Sequence, residues 1–128
     1  MSKYTDIQDE VIRRFRIEIN ENSKCKHRMH AHVRERMICK WNRKNSMSAT
    51  FALFHEIGHV ETFRGIMRRC ESEFYATQWA IDLCREYNIE VPEGIVKKYQ
   101  NYIWRELDRG LRRHGKNLPS KESMTLKV

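Results

Sequence analysis

An α+β domain is the fold this sequence predicts, and three observations predict it. Two long stretches, residues 46–62 and 70–87, repeat apolar residues at helical spacing. A shorter one, Phe15-Arg16-Ile17-Glu18-Ile19-Asn20, alternates apolar and polar residues, the period of a half-buried strand. The two periodicities occupy separate parts of the chain, so helices and sheet are segregated rather than interleaved. At 128 residues, 40% hydrophobic and 33% charged, the chain suits one soluble globular domain with a modest core. That domain is expected over residues 1–114, and residues 115–128 read as a polar tail, containing Pro119, that is loosely ordered.

The elements follow in order. Residues 5–15 form a first helix, capped by Thr5 or Asp6, with Ile7, Val11, Ile12 and Phe15 along one stripe. The alternating Phe15, Ile17 and Ile19 give a strand, and Glu21-Asn22-Ser23-Lys24 a turn. Residues 28–41 read as a strand pair or one bent strand, completing a small, mostly antiparallel sheet. Asn42–Asn45 is a polar loop, after which Ser46 or Ser48 caps a helix running through Thr62. That helix is apolar on almost every side, apart from a His55-Glu56-His59 face, so it belongs at the centre of the domain. A connection containing Gly65 leads to a helix over 70–87, with Asn88 at its C-terminal end. Pro92 opens the last helix, in which Ile95, Tyr99, Tyr102, Ile103, Leu107 and Leu111 repeat at three or four.

Charge and cysteine usage narrow the setting. The net charge is +8 and the isoelectric point about 9.5, which allows an acidic partner or nucleic acid. The basic residues are scattered, however, and no helix-turn-helix, zinc-finger or RNP pattern organises them, so direct nucleic-acid binding is not the favoured reading. No apolar run approaches the roughly 18 residues of a membrane span, and Met1–Asp6 lacks the apolar segment of a secretory signal. A cytoplasmic location is expected, with Cys25, Cys39, Cys70 and Cys84 reduced.

The stretch with chemistry in it is His55-Glu56-Ile57-Gly58-His59. On a helix, positions four apart lie one turn apart on the same face, so His55 and His59 can aim at one metal ion. Glu56 sits about 100° around the helix from His55, within reach of a water beside such an ion. Two imidazoles and a carboxylate on one buried stripe would cost several kcal/mol unpaired, on the order of what burying unsatisfied polar groups costs. Bound metal removes that cost. Gly58 is unfavourable in a helix interior by about 1 kcal/mol against alanine, which points to a close approach there. Catalytic zinc takes three protein ligands, and the next helix offers Glu71 or Glu73. These lie about 200° apart on the helix, so only one can face the metal. Ala76 and Ala80 share a face with Glu73 and would let the two helices pack tightly, which favours Glu73 over Glu71.

The pair HEIGH and Glu73-Phe74-Tyr75-Ala76-Thr77-Gln78-Trp79-Ala80 resembles the gluzincin pattern HExxH…ExxA and, more narrowly, the ImmA/IrrE-type metallopeptidases. The resemblance spans about residues 5–105, and its two motifs are the specific part of it. It implies a minimal zincin-like fold, zinc held by His55, His59 and Glu73, and Glu56 as the catalytic base. It also implies a role typical of phage and mobile elements, cleavage of a protein partner such as a DNA-binding repressor or a toxin–antitoxin-like regulator. One turn after Glu73, where many gluzincins place an acid that orients a ligand histidine, this chain has Thr77, the candidate for that supporting place. An oxyanion donor is also required, with Tyr75, Tyr99, Tyr102 and His114 as candidates.

Cys25, His27, His30 and His32 cluster in sequence, but their spacing fits no standard zinc module. They read as polar residues of a strand edge, some of them lining a substrate cleft. Strand 37–40, next to the HExxH helix, is the expected edge for pairing with an extended peptide. The alternative to a peptidase is a non-catalytic, metal-stabilised module that docks DNA or an acidic protein through its basic surface.

Overall fold

The computed structural model describes residues 3–21, 29–114 and 118–128, the side chain of His114 excepted. Helix α1 spans Lys3–Arg14, strand β1 Glu18–Asn20, β2 His30–His32 and β3 Met37–Cys39, followed by helices α2 Met47–Thr62, α3 Arg69–Glu86 and α4 Glu93–His114. This is the expected α+β order. Local contacts end α1 and α3 and begin α2 and α4. Arg16, at φ 55°, turns the chain out of α1 while Ile17 N–H reaches back to the Ile12 carbonyl at 3.0 Å. Asn88, at φ 56°, does the same for α3, with Ile89 N–H on the Cys84 carbonyl at 2.8 Å. Ser46 rather than Ser48 caps α2, its side chain accepting from Ala49 N–H at 3.1 Å. The Pro92 carbonyl accepts the first hydrogen bonds of α4, from Ile95 and Val96 N–H.

The sheet has the order β1-β3-β2 and is mixed. β2 and β3 form the antiparallel pair, with His30 opposite Cys39 and His32 opposite Met37. β1 lies on the other side of β3 and parallel to it, with Glu18 opposite Met37 and Asn20 opposite Cys39. Strand 37–40, expected as the open edge, is therefore the central strand with both neighbours in place. Among the described residues, the edge strand facing α2 is β2. Alternation in the sequence identifies strands but does not order them, and the order decides which one is exposed.

The core centres on α2. Phe51, Leu53, Phe54 and Ile57 are fully buried, joined by Ile38 from β3, Ala76, Ala80 and Cys84 from α3, and Ile103 from α4. α1 is fastened to the segment before α2 by Gln8, whose side-chain N–H group reaches the Lys44 carbonyl at 2.8 Å and Thr50 Oγ1 at 2.9 Å. α2 and α3 meet most closely at Gly58. A Cβ placed there would lie 2.5 Å from the Ala76 carbonyl oxygen, inside any normal contact. The expectation attached to Gly58 and to the small face of α3 is met by this crossing.

Residues 118–128 correct an expectation. They form no loose tail but dock against α3 and α4. Met124 and Leu126 are buried. Gln100 donates to the Met124 carbonyl at 2.8 Å and accepts from Leu126 N–H at 2.6 Å. Gln78 grips Lys127 in the same two-bonded way, at 2.7 and 2.8 Å. Two alternating apolar residues and two amide side chains from elsewhere suffice to order a segment whose composition is polar.

Two stability outcomes follow. Gly58→Ala gains helix propensity of about 1 kcal/mol but overpacks the crossing, so a net loss of about 1–3 kcal/mol is expected in denaturant unfolding. Gln100→Ala leaves the buried backbone groups of Met124 and Leu126 without partners. It should cost about 1–3 kcal/mol and make the 118–128 segment sensitive to limited proteolysis, which the parent chain resists.

Candidate metal centre

α2 presents His55 and His59 from one face, one turn apart, and α3 crosses that face with Glu73. The three donor atoms converge. His55 Nε2 and His59 Nε2 lie 3.1 Å apart, and Glu73 Oε2 lies 3.2 Å from the first and 3.1 Å from the second. Donors held at about 2.0–2.1 Å around a tetrahedral zinc ion are spaced by about 3.3 Å. The triangle thus matches that edge length, and its donor set, two imidazoles and one carboxylate, is that of a three-ligand zinc site. The residues fit the ion. Glu73 is 9% exposed and points to the histidines, whereas Glu71, in the first turn of α3, is not among them.

The histidines are aimed by hydroxyl groups. Thr77 donates its only hydroxyl proton to the Glu73 carbonyl at 2.7 Å. Its oxygen, 3.1 Å from His55 Nδ1, therefore accepts from that ring nitrogen. With a proton held on Nδ1, Nε2 is the atom turned to the other donors, protonated while it bonds to Glu73 and free to ligate where an ion takes that proton's place. Ser72 Oγ stands at 3.1 Å from His59 Nδ1 and is placed to do the same. The supporting place expected of Thr77 is thus occupied, although by a neutral hydroxyl. Ser72 was not identifiable from a motif, but its position just before Glu73, on the helix face turned to α2, was a signal.

Charges in the cluster are set by burial and by each other. Burial works against the Glu73 carboxylate, yet hydrogen bonds from His55 and His59 hold its pKa far below the usual range. For His59, burial opposes the charged ring, but the Glu73 hydrogen bond and the Glu73 and Glu56 charges outweigh it and raise the pKa. Glu56 moves up. Burial is the main cause and the Glu73 charge adds to it, against the opposing pull of His55, His59 and His30. A carboxyl group shifted upward, on the wall of the same cleft as the histidines, is suited to taking and returning a proton.

That cleft has a volume of about 670 Å³ and is walled on its other side by His30, Ala31 and Val33 of the β2 segment. Of the proposed oxyanion donors, Tyr102 lines it. Arg69 Nη2 donates to the Tyr102 hydroxyl oxygen at 3.1 Å, leaving the tyrosine's own proton available to another acceptor. Arg69 lines the cleft as well, a permanent positive charge that the sequence showed only as one more scattered base. Tyr99 packs its ring against His55, centroids 4.9 Å apart and planes tilted by 46°, and its hydroxyl pKa is pushed up to about 12, chiefly by burial and then by Glu56 and Glu73. Its role is to brace the ligand ring. Tyr75 lies under Arg64 and beside Phe74, off the cleft wall. The side chain of His114 lies outside the described residues, as do Cys25 and His27.

Next to the cleft, a second concavity of about 460 Å³ is walled by Arg68, Arg69, Arg105, Arg109 and Arg113, with Glu106 the one carboxylate among its described walls. Arg69 and Tyr102 belong to both. Among the described residues no helix is long and apolar enough to cross a membrane. Comparison with protein-family models, curated proteins and solved structures returned no match.

Replacing Thr77 by Val keeps its volume but removes the acceptor for His55 Nδ1–H. Zinc affinity should fall about 10–100-fold, read by competition with a chromophoric chelator. Thr77→Ser, which restores the hydroxyl, should recover most of it.

Proposed function

We propose that this chain is a zinc metallopeptidase of the HExxH…E kind that cleaves a specific protein partner. The observation that carries the reading is the convergence of His55 Nε2, His59 Nε2 and Glu73 Oε2 at 3.1–3.2 Å beside the upshifted Glu56 carboxyl group. The similarity of both motifs to the ImmA/IrrE-type peptidases supports it. When bound, zinc polarises the scissile carbonyl and makes water a stronger acid. His55, His59 and Glu73 hold it. Glu56 accepts the proton of the attacking water and hands it to the departing amine nitrogen. Tyr102, backed by Arg69, donates to the oxygen on which negative charge develops. The open edge of β2 aligns the substrate backbone along the cleft.

The partner expected from the resemblance is a regulator, such as a DNA-binding repressor or a toxin–antitoxin component. Among the described residues Cys39, Cys70 and Cys84 form no disulfide, and the proposed setting is a cytoplasmic, reducing one. The arginine-walled concavity favours one second reading, a non-catalytic module that docks an acidic protein or DNA.

Glu56→Gln separates the two. It leaves the three donor residues untouched, so zinc stays in place. Peptidase activity on the partner should drop by about 10²–10⁴-fold, measured by mass spectrometry of the cleaved partner. A variant that acts on its partner as well as the parent chain does would exclude catalysis and leave the docking reading.

A further inference from the structure

We infer a second metal site, distinct from the first and containing a thiolate, built on the sheet from His30, His32 and Cys39. Sequence spacing made these histidines no more than strand-edge residues. The structure adds the partner that spacing hid. β2 and β3 pair with His30 directly opposite Cys39, and residues opposite each other in an antiparallel pair project from the same face. His32, two positions along the strand, shares that face with His30. The three side chains are thereby gathered by backbone register alone, from positions that are 7 and 9 residues apart in the chain.

Their donor atoms meet. His30 Nε2 and His32 Nε2 lie 3.1 Å apart, the same spacing as the two histidine nitrogens of the first centre. Cys39 Sγ completes a set whose members all lie within 4.8 Å of one another. Around a tetrahedral zinc ion, nitrogen–nitrogen edges are about 3.3 Å and nitrogen–sulfur edges about 3.6 Å. The remaining adjustment is about an ångström, within reach of side-chain rotation. Cys39 is 1% exposed, and Asn20, opposite it on β1, directs its side-chain N–H group to the sulfur at 3.6 Å. An N–H donor at a buried sulfur stabilises thiolate, the form that binds metal.

A His₂Cys set is borderline-soft and suits zinc-class divalent ions, leaving a fourth position open. The ion would tie the edge strand to the central one. Since His30 also lines the catalytic cleft, the site would fix the rim along which a peptide lies. The inference stands apart from the peptidase reading, because it depends on neither Glu56 nor cleavage.

Cobalt(II) distinguishes the two centres, since among the described residues only this one includes a cysteine thiol among its donors. The full-length chain, saturated with Co(II) and desalted, should hold about two equivalents and show a sulfur-to-cobalt charge-transfer band in the near ultraviolet. The double variant His55→Ala/His59→Ala should keep the band and about one equivalent. Cys39→Ser should lose the band. His32→Asn, at a partly exposed position, should lose about one equivalent with its helical circular dichroism unchanged, and it decides the matter if Cys39→Ser fails to fold. The inference is overturned by a parent chain that binds one equivalent without the band. It is equally overturned if the band and stoichiometry survive in folded Cys39→Ser or His32→Asn.

Discussion

Backbone contact between α2 and α3 at Gly58 and Ala76 is the constraint on which the centre rests. Carboxylate and imidazole side chains are short, and three donor atoms come within 3.1–3.2 Å of one another only if their helices nearly touch. A glycine on one helix and an alanine on the other remove the side chains that would hold them apart. The same approach brings Ser72 and Thr77 within reach of the outer nitrogens of the two histidines. One crossing thus sets the donors, their tautomers and the depth of burial together. The helix-propensity cost of Gly58 is the local expense of that arrangement.

Much of this was legible in the chain. The apolar stripe of 46–62 announced a central helix, and the i, i+4 histidines on its one polar face announced a shared ligand. The two alanines after Glu73 separated it from Glu71, because a small face must be the packed face. What could not be read were features set by register and by long-range pairing. Strand order depends on how the chain crosses from β1 to the far edge, and no alternation pattern encodes that. Cys39 was one of four reduced cysteines with no assigned place until its opposite number on β2 was known to be His30. The final segment looked disordered because its composition is polar, yet its backbone is satisfied by Gln78 and Gln100, whose own sequence neighbourhoods say nothing of the partnership.

The neutral support of the ligands is a distinguishing trait. Hydroxyl oxygens on Thr77 and Ser72 orient the rings without adding charge. Among the described residues Glu73 and Glu56 are then the carboxylates of this cleft, and they experience opposite environments. Glu73, hydrogen-bonded by two histidines, is shifted toward the ionised form, while Glu56 is shifted by burial toward the neutral one. On the peptidase reading, two like residues would thereby take different tasks, one to hold the ion and one to exchange a proton.

The short open edge of β2 has a consequence for what can be recognised. It is three residues long, about 10 Å of extended chain. A peptide laid beside it gains two or three backbone hydrogen bonds, worth about 0.5–1.5 kcal/mol each. That sum, about 1–4 kcal/mol, corresponds to dissociation in the millimolar range or weaker. An arbitrary unfolded polypeptide would therefore visit the cleft and leave. On the peptidase reading, dwell time would have to come from a second handhold, and the arginine-walled concavity that shares Arg69 and Tyr102 with the cleft adjoins it. Selectivity on that reading would then lie in the distance between an acidic feature and a flexible segment on the same folded partner, not in the residues flanking the bond.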